Sequence, residues 1–148
     1  MLYSESKQVL DLVLSAQLGQ DTTIIVKCHP TVLMKNLLLN VKAARDLRLK
    51  FTNRKLADLL DECTLFVTMT SSAAIESTIC NRYVAIVANT TGPSANPIEN
   101  IVEQKYWRLC YTPDCIKEAF QYSLNNEILN TKDYLVPLNH ETFSAFIS

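Results

Sequence analysis

Apolar positions along this chain follow two alternating rhythms. In Ser4 to Leu18, Val9, Leu12, Val13 and Ala16 keep the i, i+3, i+4, i+7 spacing of one helical face, with serines available as caps and Gly19 just past the end. That segment predicts a helix. Thr22 to Lys27 is β-branched and nearly continuous, the composition of a strand covered on both faces. Helical character resumes between Thr31 and Arg45, where Asn36 and Asn40 blur the boundaries. Leu47 to Phe51 alternates Leu47, Leu49 and Phe51 with Arg48 and Lys50, the period of a short edge strand with one wet face. Lys55 to Cys63 sets Leu56, Leu59, Leu60 and Cys63 on one helical face, and Thr64 to Thr68 follows as a strand. Ala73 to Cys80 reads as helix, Tyr83 to Ala88 as strand, and Trp107 to Tyr111 as one strand more. Between the last two, Asn89 to Pro97 carries Gly92, Pro93 and Pro97 and predicts a loop. Thr112-Pro113-Asp114 supplies a cap, a proline at the first helical position and an acid in the first turn, ahead of the apolar face Ile116, Ala119 and Phe120. A short closing helix is predicted from about Asn139 to Phe146.

Helices of roughly ten residues separating strands of about five are the rhythm of βαβ units. The expected fold is therefore α/β, a Rossmann-like three-layer sandwich with a mainly parallel sheet. Strands at Ile24 to Lys27, Leu47 to Phe51, Leu65 to Thr68, Val84 to Ala88 and Arg108 to Tyr111 should share that sheet, with helices on both faces. A length of 148 residues, 48% of them hydrophobic, suits a single domain spanning 1–148.

Charge and composition narrow the function. A formal net charge of -1, with no basic run interleaved with aromatics, argues against nucleic acid as a partner. Apolar stretches are short and no leader pattern opens the chain, so a soluble cytoplasmic protein is expected. The cysteines at 28, 63, 80, 110 and 115 are odd in number and lack a C-x-x-C pair, so they read as reduced, with Cys63 and Cys80 acting as small hydrophobes. Two distant histidines do not suggest a zinc site, and neither metal nor cofactor is expected. Gly19 and Gly92 are the only glycines, which excludes both the G-x-G-x-x-G fingerprint and the Walker loop.

Ligands of open parallel sheets bind beyond the carboxyl ends of the strands. Two segments place polar residues there. Lys27-Cys28-His29-Pro30 follows the first long strand, and Pro30 restricts the backbone of His29, whose imidazole can donate to a phosphate oxygen or protonate a leaving phosphate. Thr68 to Glu76, "TMTSSAAIE", carries a strand into two serines that begin a helix, so Thr70, Ser71 and Ser72 surround a natural anion site. Ordinary capping by the serines is the plain alternative. Glu76 falls four residues after Ser72 and five after Ser71, outside the S-x-x-E capping box, and on the face of Ser72 it can accept hydrogen bonds from a sugar's hydroxyl pair.

"IIVKCHP", "LADLLDECTLFVTMTSSAAIE" and "NRYVAIV", in that order, resemble the C-terminal half of GT-B glycosyltransferases of bacterial surface-carbohydrate synthesis, with their H-P and S-S motifs. The resemblance runs from about Ser4 to Asn125. It implies a domain that binds a nucleotide-activated sugar, with His29, as catalytic residue, and Ser71 and Ser72 at the donor phosphate and Glu76 at the ribose; Lys27 and Thr70 complete the expected binding set. It further implies that an N-terminal, acceptor-binding half is missing, that the chain is a piece of a longer protein inactive alone, and that the full protein has the option of peripheral membrane association. Asn81-Arg82 departs from the family's usual glycine before the following strand. Two other readings stand beside this one: a non-catalytic binding or assembly module of the same fold, and a relative of nucleotide-sugar 2-epimerases.

Overall fold

A computed structural model describes residues 3–27, 46–90, 92 and 96–125. Their elements run α1 (Tyr3–Ser15), β1 (Ile24–Lys27), β2 (Leu49–Thr52), α2 (Leu56–Leu60), β3 (Leu65–Thr68), α3 (Ala73–Ile79), β4 (Tyr83–Val87), a 3-10 turn (Gln104–Tyr106), β5 (Trp107–Cys110) and α4 (Pro113–Asn125). The fold is α/β and every strand pairing is parallel. The helices predicted within 31–45 and 139–146 lie outside the described residues.

The strands form two ladders, β1-β2 and β3-β4-β5, where the sequence pattern predicts one sheet. Side chains rather than backbone bonds join β1 to the larger unit: Ile24 packs with Leu65 and Val67 of β3 against one common core. Strand β4 is buried along its whole length and separates two apolar layers. Tyr83, Ala85 and Val87 face Val13 and Ala16 of α1 and Ile116 and Ala119 of α4. Val84 and Ile86, on the opposite face by the period-2 rule, meet Ala74 and Ile75 of α3 together with Ile98, Val102, Tyr106 and Trp107. This is the three-layer arrangement expected of a Rossmann-like fold. Its second layer is completed by an irregular segment, stitched by Trp107 Nε1 donating to the Val102 carbonyl at 2.9 Å.

Helix ends follow local chemistry. Thr112 Oγ1 accepts the Cys115 amide at 3.3 Å, so the predicted cap-proline-acid start of α4 is realised. Helix α1 stops at Ser15, earlier than its apolar spacing predicts, because Gln17 (φ 53°) already takes the left-handed conformation ahead of Gly19 (φ 98°). At the end of α3, Asn81 adopts φ 60°; its amide donates to the Thr78 carbonyl at 3.0 Å and the Arg82 amide to the Ser77 carbonyl at 2.9 Å. These two bonds are a Schellman closure with asparagine in the place usually filled by glycine. Asn81 thus performs the turn that the missing glycine put in question. Leu47, predicted to open a strand, is 97% exposed in the turn before β2, where Arg48 pairs with Asp46 at 2.7 Å.

Candidate functional site

Parallel register puts the carboxyl ends of β3, β4 and β5 on one edge: Thr68 lies opposite Ile86, and Val87 opposite Cys110. The turns leaving that edge are residues 69–72 into α3, 88–90 after β4, and 111–112 into α4. A parallel sheet presents its ligand-binding loops there.

The first turn contains Thr70, Ser71 and Ser72. Ser71 acts as the cap of α3: its Oγ accepts the Ala73 amide at 3.2 Å, its carbonyl accepts the Ala74 amide at 3.1 Å, and its own amide donates to Thr68 Oγ1 at 3.4 Å. Ordinary capping therefore accounts for Ser71. Ser72 has helical dihedrals, makes no side-chain cap bond and is exposed, so its hydroxyl is open to solvent. Thr70 is partly exposed beside it.

Glu76 lies one turn further on, on the same face as Ser72 by the i, i+4 relation. Its carboxylate is half-buried and has no hydrogen-bond or ion-pair partner among the described residues, and burial pushes its pKa up from the ordinary carboxylate range. The other polar side chains of α3 are spoken for within the helix: Ser77 Oγ donates to the Ala73 carbonyl at 2.9 Å and Thr78 Oγ1 to that of Ile75 at 2.7 Å. Both are fully buried, and these bonds remove the cost of burying their hydroxyls.

Lys27 ends β1 exposed, and its Nζ donates to the Arg54 carbonyl at 2.8 Å, which ties the strand end to the loop after β2. Its described contact is with that loop, not with the serine turn. His29 lies outside the described residues. Thr70, Ser71, Ser72 and Glu76 share a single strand-to-helix turn.

A shallow cavity of about 250 Å³ occupies the same sheet edge further along, lined by Val87, Ala88, Thr90 and Tyr111 and closed by Gln8, Asp11, Leu12 and Ser15 of α1. Sequence reasoning passed over it. The signal was available, since residues 88–90 follow β4 as residues 69–72 follow β3, but the α1 wall depends on a long-range packing that no local pattern announces. Asp11 in this wall already pairs with Lys7 at 2.7 Å. Among the described residues no cluster of His, Cys, Asp or Glu is arranged to hold a metal, and no helix is long and apolar enough to cross a membrane.

In comparisons with known proteins, no family model, curated protein or solved structure matches this chain.

Proposed function

We propose that the chain is a nucleotide-sugar-binding unit of the glycosyltransferase type, serving surface-polysaccharide synthesis in the cytoplasm together with a second half that holds the acceptor. The observation that carries this reading is the pairing of exposed Ser72 with the Glu76 carboxylate, which has no hydrogen-bond or ion-pair partner among the described residues, on one face of α3 at the carboxyl edge of a parallel sheet. A carboxylate so placed is an acceptor for two vicinal hydroxyls, as on a ribose, and its hydrogen bonds would restore what burial removes. Thr70 and Ser72 hydroxyls donate to phosphate oxygens, while the Ala73, Ala74 and Ile75 amides of the first turn are already engaged by Ser71 and Ser72. Helix α3 has seven residues and a correspondingly small dipole, so these local donors rather than a long-range field hold the anion. In this reading His29 protonates the departing phosphate, and Lys27, tied to the loop after β2, contributes positive charge from the other ladder.

Calorimetric titration with CMP, UDP and GDP tests the reading. An open half-site predicts affinity on the order of millimolar for at least one of them. Ser72→Ala and Glu76→Gln should each weaken that binding roughly three- to tenfold, the worth of one hydrogen bond, while the unfolding midpoint stays within a few degrees. Ser71→Ala is a poorer probe because it also removes the cap on Ala73. Absence of binding at about 10 mM nucleotide, or equal affinity in wild type and both variants, would overturn the proposal.

A further inference from the structure

Cys110 ends β5 and is fully buried, while Cys115, the third residue of α4, is partly exposed. Their sulfurs stand 2.9 Å apart. Both backbones are fixed near the approach: the Ala88 amide donates to the Cys110 carbonyl at 2.9 Å, and the Cys115 amide donates to Thr112 Oγ1 at 3.3 Å. A disulfide is about 2.0 Å long, so the sulfurs need to close by roughly 0.9 Å, a distance that side-chain rotation supplies. The turn at Tyr111 and Thr112 and the first residues of α4, Pro113 and Asp114, bring them together.

We propose that Cys110 and Cys115 are a redox-active dithiol that forms a reversible disulfide on exposure to a low-molecular-weight disulfide of the glutathione type. Accessibility sets the order of events. Cys115 attacks as thiolate on one sulfur of the reagent and expels the first small thiolate, which takes up the proton Cys115 has lost. Cys110 then gives up its proton, attacks Cys115 Sγ in the mixed disulfide, and expels the second small thiolate, which is protonated in turn. Two S–H bonds of the protein are lost and one S–S bond forms; the two electrons reduce the reagent to two thiols. The Arg108 guanidinium lies within electrostatic reach of both sulfurs. Cys110 suits the resolving role: burial pushes its thiol up, which keeps it protonated and shielded from reagent until the mixed disulfide forms beside it.

Tyr111, one residue beyond Cys110, lines the cavity on the sheet edge.

The test exposes the full chain to oxidised glutathione, alkylates remaining thiols under denaturing conditions, and weighs tryptic peptides. Cleavage after Arg108 and Lys117 yields a peptide, residues 109–117, holding both cysteines and no other. The expected product is that peptide lighter than its dithiol form by two hydrogens, unalkylated, and restored by a dithiol reductant. Cys110→Ala should instead stall with glutathione on Cys115, at more than ten times the adduct level of wild type. The wild-type peptide alone decides the case even if that variant folds poorly. Alkylation at both cysteines, a persistent glutathione adduct in wild type, or pairing of either cysteine with Cys63 or Cys80 would overturn the proposal.

Discussion

The two ladders are built on different physics. In β3-β4-β5 the central strand is buried on both faces, Val84 and Ile86 show no exposure at all, and apolar layers from α1, α4, α3 and the segment before β5 close over it. In β1-β2 each strand is only partly buried, and polar contacts fasten its entrance: Arg48 reaches both Asp46 and the Gly19 carbonyl, at 2.7 and 3.2 Å, while the Ile24 amide donates to the Arg48 carbonyl at 2.9 Å. The Ser72–Glu76 face grows from the first kind of unit, and Lys27 ends the second. A site on a rigid sheet edge holds its geometry, whereas a cation on a weakly buried ladder contributes charge from a less fixed position.

The largest expected effect uses one residue type in both places. Ile86→Ala should cost about 2–5 kcal/mol of stability, since a fully enclosed side chain leaves a cavity, while Ile25→Ala in β1 should cost about 1 kcal/mol. Urea unfolding of the two variants measures this directly, and equal losses would break the contrast between the ladders.

A smaller effect sharpens it at the α3-β4 turn. Asn81→Val should lose about 1–2 kcal/mol, because a β-branched residue is strained at positive φ, and Asn81→Gly should be neutral or gain up to about 1 kcal/mol. Thermal unfolding separates the two; a Val variant as stable as wild type would mean that the turn does not hold the left-handed conformation.

Smallest is a pH effect at the entrance to β2. The side-chain hydrogen bonds from Arg48, and then its backbone amide, lower the pKa of Asp46 from 3.8 to about 2. With the native value below the unfolded one, this contribution is present above pH 4 and is lost as pH falls toward 2. The pair is only partly exposed, and solvent screening at that exposure holds the effect to about 1 kcal/mol or less. Asp46→Asn should therefore remove that share of the stability at pH 6 and make no difference near pH 2. Glu76 has the opposite sign: a raised pKa means that ionisation opposes folding, so Glu76→Gln should gain slightly at neutral pH and nothing at acid pH.

Local chemistry was legible in the sequence. The β-branched run became β1 at Ile24–Lys27, and Thr112-Pro113-Asp114 became the start of α4. Features that depend on distant packing were not. Ile98, Val102 and Tyr106, spaced i, i+4 and i+8, complete a core layer from turns and a 3-10 segment rather than from a full helix, and Leu47 keeps the alternation of a strand while standing in solvent. The passage from strand through Ser71 and Ser72 into a helix at Ala73 is legible in the sequence, but which serine caps the helix follows from backbone geometry, and that decides for Ser71. The cavity against α1 required knowing that the first helix returns to the ends of β4 and β5.

The carboxyl edge of β3-β4-β5 is the proposed nucleotide site. Backbone amide shifts of isotope-labelled protein, followed by NMR during titration with CMP, UDP and GDP, test it residue by residue. Perturbations should gather at Thr70, Ser72 and Glu76 and, if the ligand extends along the edge, at Thr90 and Tyr111. Shifts centred instead on Thr64, Arg82 and Tyr106, at the amino ends of the same strands, would contradict the account.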